Sequence, residues 1–331
     1  MRLLVNLIGG GIGNNILTIP LLKNLNRWGN FQIDLLVSKG KENIFSNEKY
    51  IHKIYVYERK KNLFRNILLL TKLRLKRYDY SIVPLPKSGF VTLINYYIGS
   101  KKRFAHDIQK FNFLYTDLVK YTYRHDVFEN VKFCDLFNIN RSKLIFDTSF
   151  KIPESALIFA SNYSLSKKRR RRRIIGIHPG SEGIYKRWGV ENFYNLTKRL
   201  LKHHIVFYFL GPSELDLSIS LSDENFQVIR NLDLLKSAAI IKQCDLFLSN
   251  DSGMMHLASA LGVSTIGLFG PTNPRYVAPF GDNCFVISKE INCNLNKDRI
   301  CKKVLKNKFT CPLLKEITVN EVYNKIQSVL K

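Results

Sequence analysis

The stretch NDSGMMHLASALGVSTIGLFGPTNP, residues 250 to 274, constrains the fold more than any other part of this 331-residue chain. The apolar run CDLFLSN that leads into it has the length of a strand, and Asp251 and Ser252 are residue types that start helices. Gly253 removes the side chain where a ligand would come closest. A helix then runs through Met254 to Leu261 with Gly262 as its stop signal. Val263 to Phe269 reads as the next buried parallel strand, and Gly270-Pro271-Thr272 as the loop after its carboxyl end, where open α/β sheets hold ligands. Unpaired N–H groups and the positive end of the helix dipole at Ser252-Gly253 suit a diphosphate without requiring a metal. The plainer reading is a capped crossover helix with Asp251 serving only as a cap.

Strand-like and helix-like segments alternate through two halves of the chain. The first half has strands at 2 to 8, 32 to 38, 52 to 57 and 79 to 84, with helices at 15 to 28, 60 to 77 and 88 to 98. The second has strands at 174 to 178, 205 to 210, 226 to 230, 244 to 249 and 263 to 269. Its helices fall at 191 to 203, 213 to 220, 233 to 242 and 252 to 261. This pattern predicts an α/β protein of two Rossmann-like domains facing across a cleft, the first over 1–155 and the second over 174–331. Residues 156–173 form the expected linker, and seven consecutive basic residues, Lys167 to Arg173, lie in it.

Lys and Arg number 52 against 26 Asp and Glu, an excess spread over both halves and not confined to a tail. Such a surface attracts polyanions: nucleic acid, an anionic membrane face or phosphorylated substrates. No run of 18 or more uncharged apolar residues is present, so a transmembrane helix is not expected. The opening MRLLVNLIGGGIGNN fits a first strand and glycine loop better than a signal peptide. Cysteines at 134, 244, 284, 293, 301 and 311 lack the spacing of a disulfide framework or a C-x-x-C zinc site, so no metal is expected and a reducing cytoplasm is the default. The segment Lys60 to Tyr78 mixes Leu, Ile and Phe with Lys and Arg, as an interfacial helix on anionic lipid does, and equally as a crossover helix does.

Three further clusters border strand ends. The glycine loop Gly9 to Asn15 lets the backbone approach a ligand but is a weak dinucleotide signal. In HPGSEGIYKRW, Lys186 and Arg187 have charge to neutralise a phosphate or are a solvated pair, and Trp188 is a core anchor. Glu214, after strand 205 to 210, is placed either to accept from ribose hydroxyls or to charge a helix start.

Taken together, G-x-G-N-N-x-L-x-x-P at Gly11 to Pro20, PGS-x-x-x-x-KRW at Pro179 to Trp188, LGPSE at Leu210 to Glu214 and NDSG-x-x-H through LFGPT at Asn250 to Thr272 resemble glycosyltransferase family 9, the ADP-heptose:lipopolysaccharide heptosyltransferases. His125, Glu129 and Leu136 look like the helix before that family's linker. The resemblance implies a GT-B fold with an acceptor-binding first domain and a nucleotide-sugar-binding second one. It also implies a cytoplasmic enzyme on the inner face of the inner membrane, performing metal-independent inverting transfer from ADP-heptose to a lipopolysaccharide-core acceptor.

Carried onto this chain, the resemblance puts the donor diphosphate on Ser252 and Gly253, with Lys186 balancing charge on the leaving group. Glu214 would hold the ribose, Asp251 and His256 would lie on the donor-sugar side, and Ser181, Gly270, Pro271 and Thr272 would line the donor site. His256 is as readily a satisfied core histidine. Gly11, Gly13 and Asn14 would form the acceptor-side loop. The family usually has an Asp acting as general base where this chain has Asn14, and an amide accepts no proton at neutral pH. Either Asp107 or an acceptor phosphate takes the proton, or transfer runs slowly without a base, or the protein only binds sugar nucleotide. A nucleic-acid-binding protein on a Rossmann-like scaffold would explain the charge but not Asp251 to Thr272, and no base-reading module is present, so no nucleic-acid partner is expected.

Overall fold

The computed structural model describes every residue except 60–62, 85–86, 164–171, 213, 290–298 and 308. The basic run at Lys167 to Arg173 therefore lies mostly outside the described residues, as does Cys293. Two compact units meet in sequence at Lys151 and Ile152.

The first unit is built on β1 (Arg2–Asn6), β2 (Gln32–Ser38), β3 (Ile51–Tyr57), β4 (Tyr80–Val83), β5 (Lys102–His106) and β6 (Asp117–Val119). All pair in parallel, in the order β3-β2-β1-β4-β5-β6. The strand order reverses at β1, and the glycine loop leaves the carboxyl end of that strand, the position at which doubly wound sheets bind ligands. The helix expected over 15 to 28 is two: α1 (Ile12–Ile16) and α2 (Ile19–Gly29). Pro20 has no N–H to continue α1 and sits instead in the first turn of α2. Next come α3 (Leu63–Leu75), α4 (Gly89–Ile98) and α5 (Asp126–Val131).

Two buried carboxylates pin this unit. Asp34 on β2 takes Tyr78 Oη at 2.6 Å, His52 Nδ1 at 2.8 Å and Lys76 Nζ at 3.0 Å, tying the end of α3 to the sheet. Glu129 on α5 accepts from Lys132 Nζ at 2.8 Å, Thr122 Oγ1 at 2.9 Å and Arg124 N at 2.9 Å, so it holds the loop before its helix. Burial alone would push the Glu129 pKa up; the Lys132, Arg124 and Thr122 hydrogen bonds outweigh it and hold the carboxyl below its usual range.

The second unit opens with α6 (Glu154–Ser161), which runs from the last residues of the expected first domain into the expected linker. It is not linker structure: Ala156 and Ala160 are buried, the helix packs on α8 (Leu234–Ile241), and Gln243 Nε2 donates to Ala160 O at 2.6 Å. Its sheet comprises β7 (Ile174–His178), β8 (Ile205–Leu210), β9 (Phe226–Arg230), β10 (Leu246–Asn250), β11 (Ser264–Phe269) and β12 (Cys284–Ser288), again all parallel. The order is β12-β11-β10-β7-β8-β9, so the reversal lies between β7 and β10. Every residue of β7, β8 and β10 is buried, as parallel strands covered on both faces require. The sheet is flanked by α7 (Val190–Leu201), α9 (Gly253–Ala260), α10 (Pro274–Val277), α11 (Lys302–Asn307), α12 (Pro312–Glu316) and α13 (Val319–Leu330). Where a helix was expected over 213 to 220, the described residues form a single 3₁₀ turn, Leu215–Leu217.

Replacing Glu129 by Gln leaves Lys132 and the loop N–H groups facing a neutral amide and is expected to cost about 2–4 kcal/mol at neutral pH, read from urea midpoints. Because the folded pKa is depressed, this contribution is complete above the unfolded glutamate value of ~4.3 and lost as pH falls through the folded value, so the gap between the two proteins should close in acid.

Candidate functional site

Two adjacent parallel strands end side by side at the reversal of the second sheet. His178 closes β7 and stands in register with Ser249 of β10, whose last residue is Asn250. Asn250 is fully buried, and its carboxamide works in both directions: Oδ1 accepts from Trp188 N at 3.0 Å and Nδ2 donates to Pro179 O at 2.6 Å. The loop after β7 is thereby clamped to the turn after β10. Trp188 fixes the far side of the clamp by donating Nε1 to Ile317 O at 2.8 Å and packing edge-on against Phe193.

The turn Asp251-Ser252 begins α9. Ser252 is the N-cap residue, yet neither it nor Asp251 supplies the side-chain cap that the sequence suggested. Its hydroxyl turns away, lying 3.2 Å from His178 Nδ1 and 2.9 Å from Ser249 Oγ. Asp251 is spoken for by Lys186, whose ammonium is 2.6 Å from Oδ2. Lys186 thus stands beside the N-terminal end of α9, where both its charge and the helix dipole are positive. Ser181 gives its hydroxyl to the Asp251 carbonyl at 2.9 Å, which makes it a brace for the turn.

Glu214 follows β8, and its Oε2 accepts from Gly211 N at 2.7 Å and lies 3.1 Å from His178 Nε2. Burial would raise the Glu214 pKa; the His178 hydrogen bond and charge, the Gly211 N–H and Arg187 outweigh it and keep the carboxyl below its usual range. Room for this carboxylate is made by Gly180, where a Cβ would lie 1.9 Å from Glu214 Oε1. Arg187 crosses behind, donating to the Ser181 carbonyl and to Asp216.

The remaining sequence candidates fall into place less uniformly. His256 is buried in α9. Gly270 is closed in by packing, since a Cβ there would meet Leu314 Cγ at 2.6 Å; its smallness serves α12. Pro271 and Thr272 are bound to the segment 299–301: Cys301 N donates to Pro271 O at 2.8 Å and Thr272 bridges Ile300. Thr272 Oγ1 is buried with no hydrogen-bond partner among the described residues. Among those residues no three His, Cys, Asp or Glu side chains gather as a metal site would require.

In the first unit, Gly11 is the N-cap residue of α1, Gly13 is buried, and Asn14 is half-buried on the first turn. Asn15, which the sequence reading passed over, anchors the loop by donating Nδ2 to Gly11 O at 2.8 Å. Asp107 follows β5 at the same carboxyl edge of the sheet, exposed, with Oδ1 accepting from Tyr121 N at 2.9 Å. His178 is the other residue that sequence reasoning missed; its only signal was its place at a strand end beside a Pro-Gly-Ser turn.

The family model for glycosyltransferase family 9 (heptosyltransferase) matches residues 68–306. The chain belongs to glycosyltransferase family 9. A lipooligosaccharide heptosyltransferase 2 from Campylobacter jejuni subsp. jejuni serotype O:2 is 27% identical over 290 residues, covering 81% of this chain and 84% of that one. The crystal structure of a family 9 glycosyltransferase from Veillonella parvula superposes with a TM-score of 0.84 at 19% identity, over 99% of this chain and 97% of the other. That of E. coli ADP-heptose lps heptosyltransferase II gives 0.78 at 21% identity, over 100% and 98%. The fold of this glycosyltransferase is therefore GT-B, with one doubly wound sheet in each unit.

Proposed function

We propose that this family 9 glycosyltransferase moves heptose or a closely related sugar from an ADP-sugar to a lipopolysaccharide-core acceptor, by an inverting displacement in which protein groups carry the leaving group's charge. The observation that carries the reading is the turn at Asp251-Ser252: a helix start without a side-chain cap, with Lys186 held beside it by Asp251. Such a start offers backbone N–H groups to a diphosphate, and Lys186 adds a full positive charge where negative charge grows as the glycosidic bond breaks. The ionised Glu214 is an acceptor for ribose hydroxyls. The printed names of the relatives, heptosyltransferases of lipooligosaccharide and lipopolysaccharide, favour heptose and that acceptor class.

The acceptor hydroxyl is assigned to the loop after β1. Asn14 lacks basicity, so its amide orients the nucleophile. Asp107, two strands away on the same sheet edge and so on the order of 10 Å distant, is out of reach of a hydroxyl held by Asn14, which leaves a phosphate of the acceptor to receive the proton.

A bilayer-facing surface is assigned to α3 and α4, which pack together. Leu63, Phe64, Leu68, Phe90, Leu93 and Tyr96 are all exposed there. Arg59 lies over Phe90 and Arg74 over Tyr97, at 5.3 and 5.4 Å, so cations and aromatic rings share one face as at anionic membrane interfaces. No helix among the described residues is long and apolar enough to cross a membrane. The reading is of a peripheral enzyme on the cytoplasmic face of the inner membrane.

Lys186→Ala should lower kcat/KM for ADP-heptose by roughly 10²- to 10³-fold, and chelation of divalent ions should leave the wild-type rate unchanged; a chelator-sensitive rate would count against charge neutralisation by Lys186 and α9. Asn14→Asp should raise kcat, whereas an unaltered rate would assign the base wholly to another group. Binding to anionic vesicles should weaken as salt rises from about 0.1 to 1 M, the Debye length shrinking from ~10 to ~3 Å, and salt-independent binding would remove electrostatics as its cause.

A further inference from the structure

We propose that His178 is a positioning residue that decides whether Ser252 presents the donor diphosphate with a proton or with a lone pair. The inference rests on the donor-site reading above. His178 is buried, with Nε2 3.1 Å from Glu214 Oε2 and Nδ1 3.2 Å from Ser252 Oγ and 3.3 Å from Ser249 Oγ. An ionised carboxylate only accepts, so Nε2 carries a hydrogen in either charge state of the ring.

The hydroxyl hydrogens can then be counted. Ser249 Oγ donates to Asn250 O at 2.8 Å. With a neutral imidazole Nδ1 is a bare lone pair, and the Ser252 hydroxyl spends its hydrogen inward, on Nδ1 at 3.2 Å or on Ser249 Oγ at 2.9 Å. Ser252 then turns only lone pairs toward anything seated on α9, which repels a phosphate oxygen. When Nδ1 takes a proton from solvent, the ring becomes a donor on both sides. Its Nδ1–H points at Ser252 Oγ, the serine hydrogen is released toward the ligand, and a positive charge is added behind the turn. A bound diphosphate therefore favours the protonated ring, and the protonated ring favours the diphosphate.

Among the described residues, the charged and titratable groups around this ring come from the neighbouring strand ends. Glu214 lies beyond β8, Asp251 with Lys186 stands at the end of β10, and Arg187 is paired with Asp216. Tyr208 on β8 stays protonated, burial and then Glu214 pushing its phenol well up.

The test is titration calorimetry with ADP-heptose from about pH 5 to 9, in two buffers of different ionisation enthalpy. Its diphosphate is esterified at both ends and holds constant charge, unlike a phosphate monoester, which titrates near ~6. Wild-type protein should take up part of a proton on binding, most in the pH window between the free and the bound state of the ring, with affinity falling there by up to about tenfold per pH unit as pH rises. His178→Gln keeps an amide donor for Glu214 and should bind with no proton uptake and a flat profile; Ser252→Ala keeps the charge of the ring but not the released hydrogen, and should show a smaller uptake and a shallower profile than the wild type. Wild-type proton uptake persisting in His178→Gln would overturn the proposal. Should that variant fail to fold, Ser252→Ala carries the test, and a wild-type slope in it overturns the proposal equally. Absence of ADP-heptose binding to the wild type at every pH is a different failure, that of the donor-site reading itself.

Discussion

The second unit depends on one buried amide. Asn250 sits at the end of a fully buried strand, where water cannot satisfy it, and its hydrogen bonds to the Pro179 carbonyl and to Trp188 N reach both ends of the loop after β7. Each bond contributes only about 1 kcal/mol net, but losing the amide would orphan a buried N–H and a buried carbonyl at about 1–3 kcal/mol apiece. Through this clamp the position of Lys186, two residues before Trp188, is tied to the turn that begins α9. Parallel pairing of β7 with β10 sets His178 beside Ser249, and the reversal of strand order between them opens the carboxyl edge at that point.

Around the turn, Lys186 is paired with Asp251 and Arg187 with Asp216 at close range, and His178 is hydrogen-bonded to Glu214. Pairing of this kind holds long side chains in one geometry before any ligand arrives, which lowers the reorganisation needed at the moment of reaction. It also means that Lys186 and Glu214 are not idle groups waiting for a partner. A diphosphate must share the ammonium with Asp251, and a ribose must share the carboxylate with His178 and the Gly211 N–H.

Much of this was legible in the sequence because its strands are short apolar runs and its turns carry Gly, Pro and Ser. The strands around β7, β8 and β10 read clearly since both faces are buried and the residues are uniformly apolar. β5, β6 and β12 went unread: β6 is three half-exposed residues at a sheet edge, and β12 is mostly half-buried, so neither shows a continuous apolar run. In place of the helix expected at 213 to 220, Glu214 turns its carboxylate back onto Gly211 N and His178. Site residues named from the turn at 250 to 253 were brought together, while Gly270 proved to be small for the sake of Leu314. Such contacts come from helices far along the chain, and no local pattern announces them.

The most direct test is a crystal structure of the protein with ADP-heptose bound. The diphosphate should rest on the first-turn N–H groups of α9, with an oxygen about 3 Å from Lys186 Nζ and the ribose beside Glu214. A nucleotide seated away from the Asp251-Ser252 turn, or a diphosphate that leaves Lys186 bound solely to Asp251, would contradict the assignment.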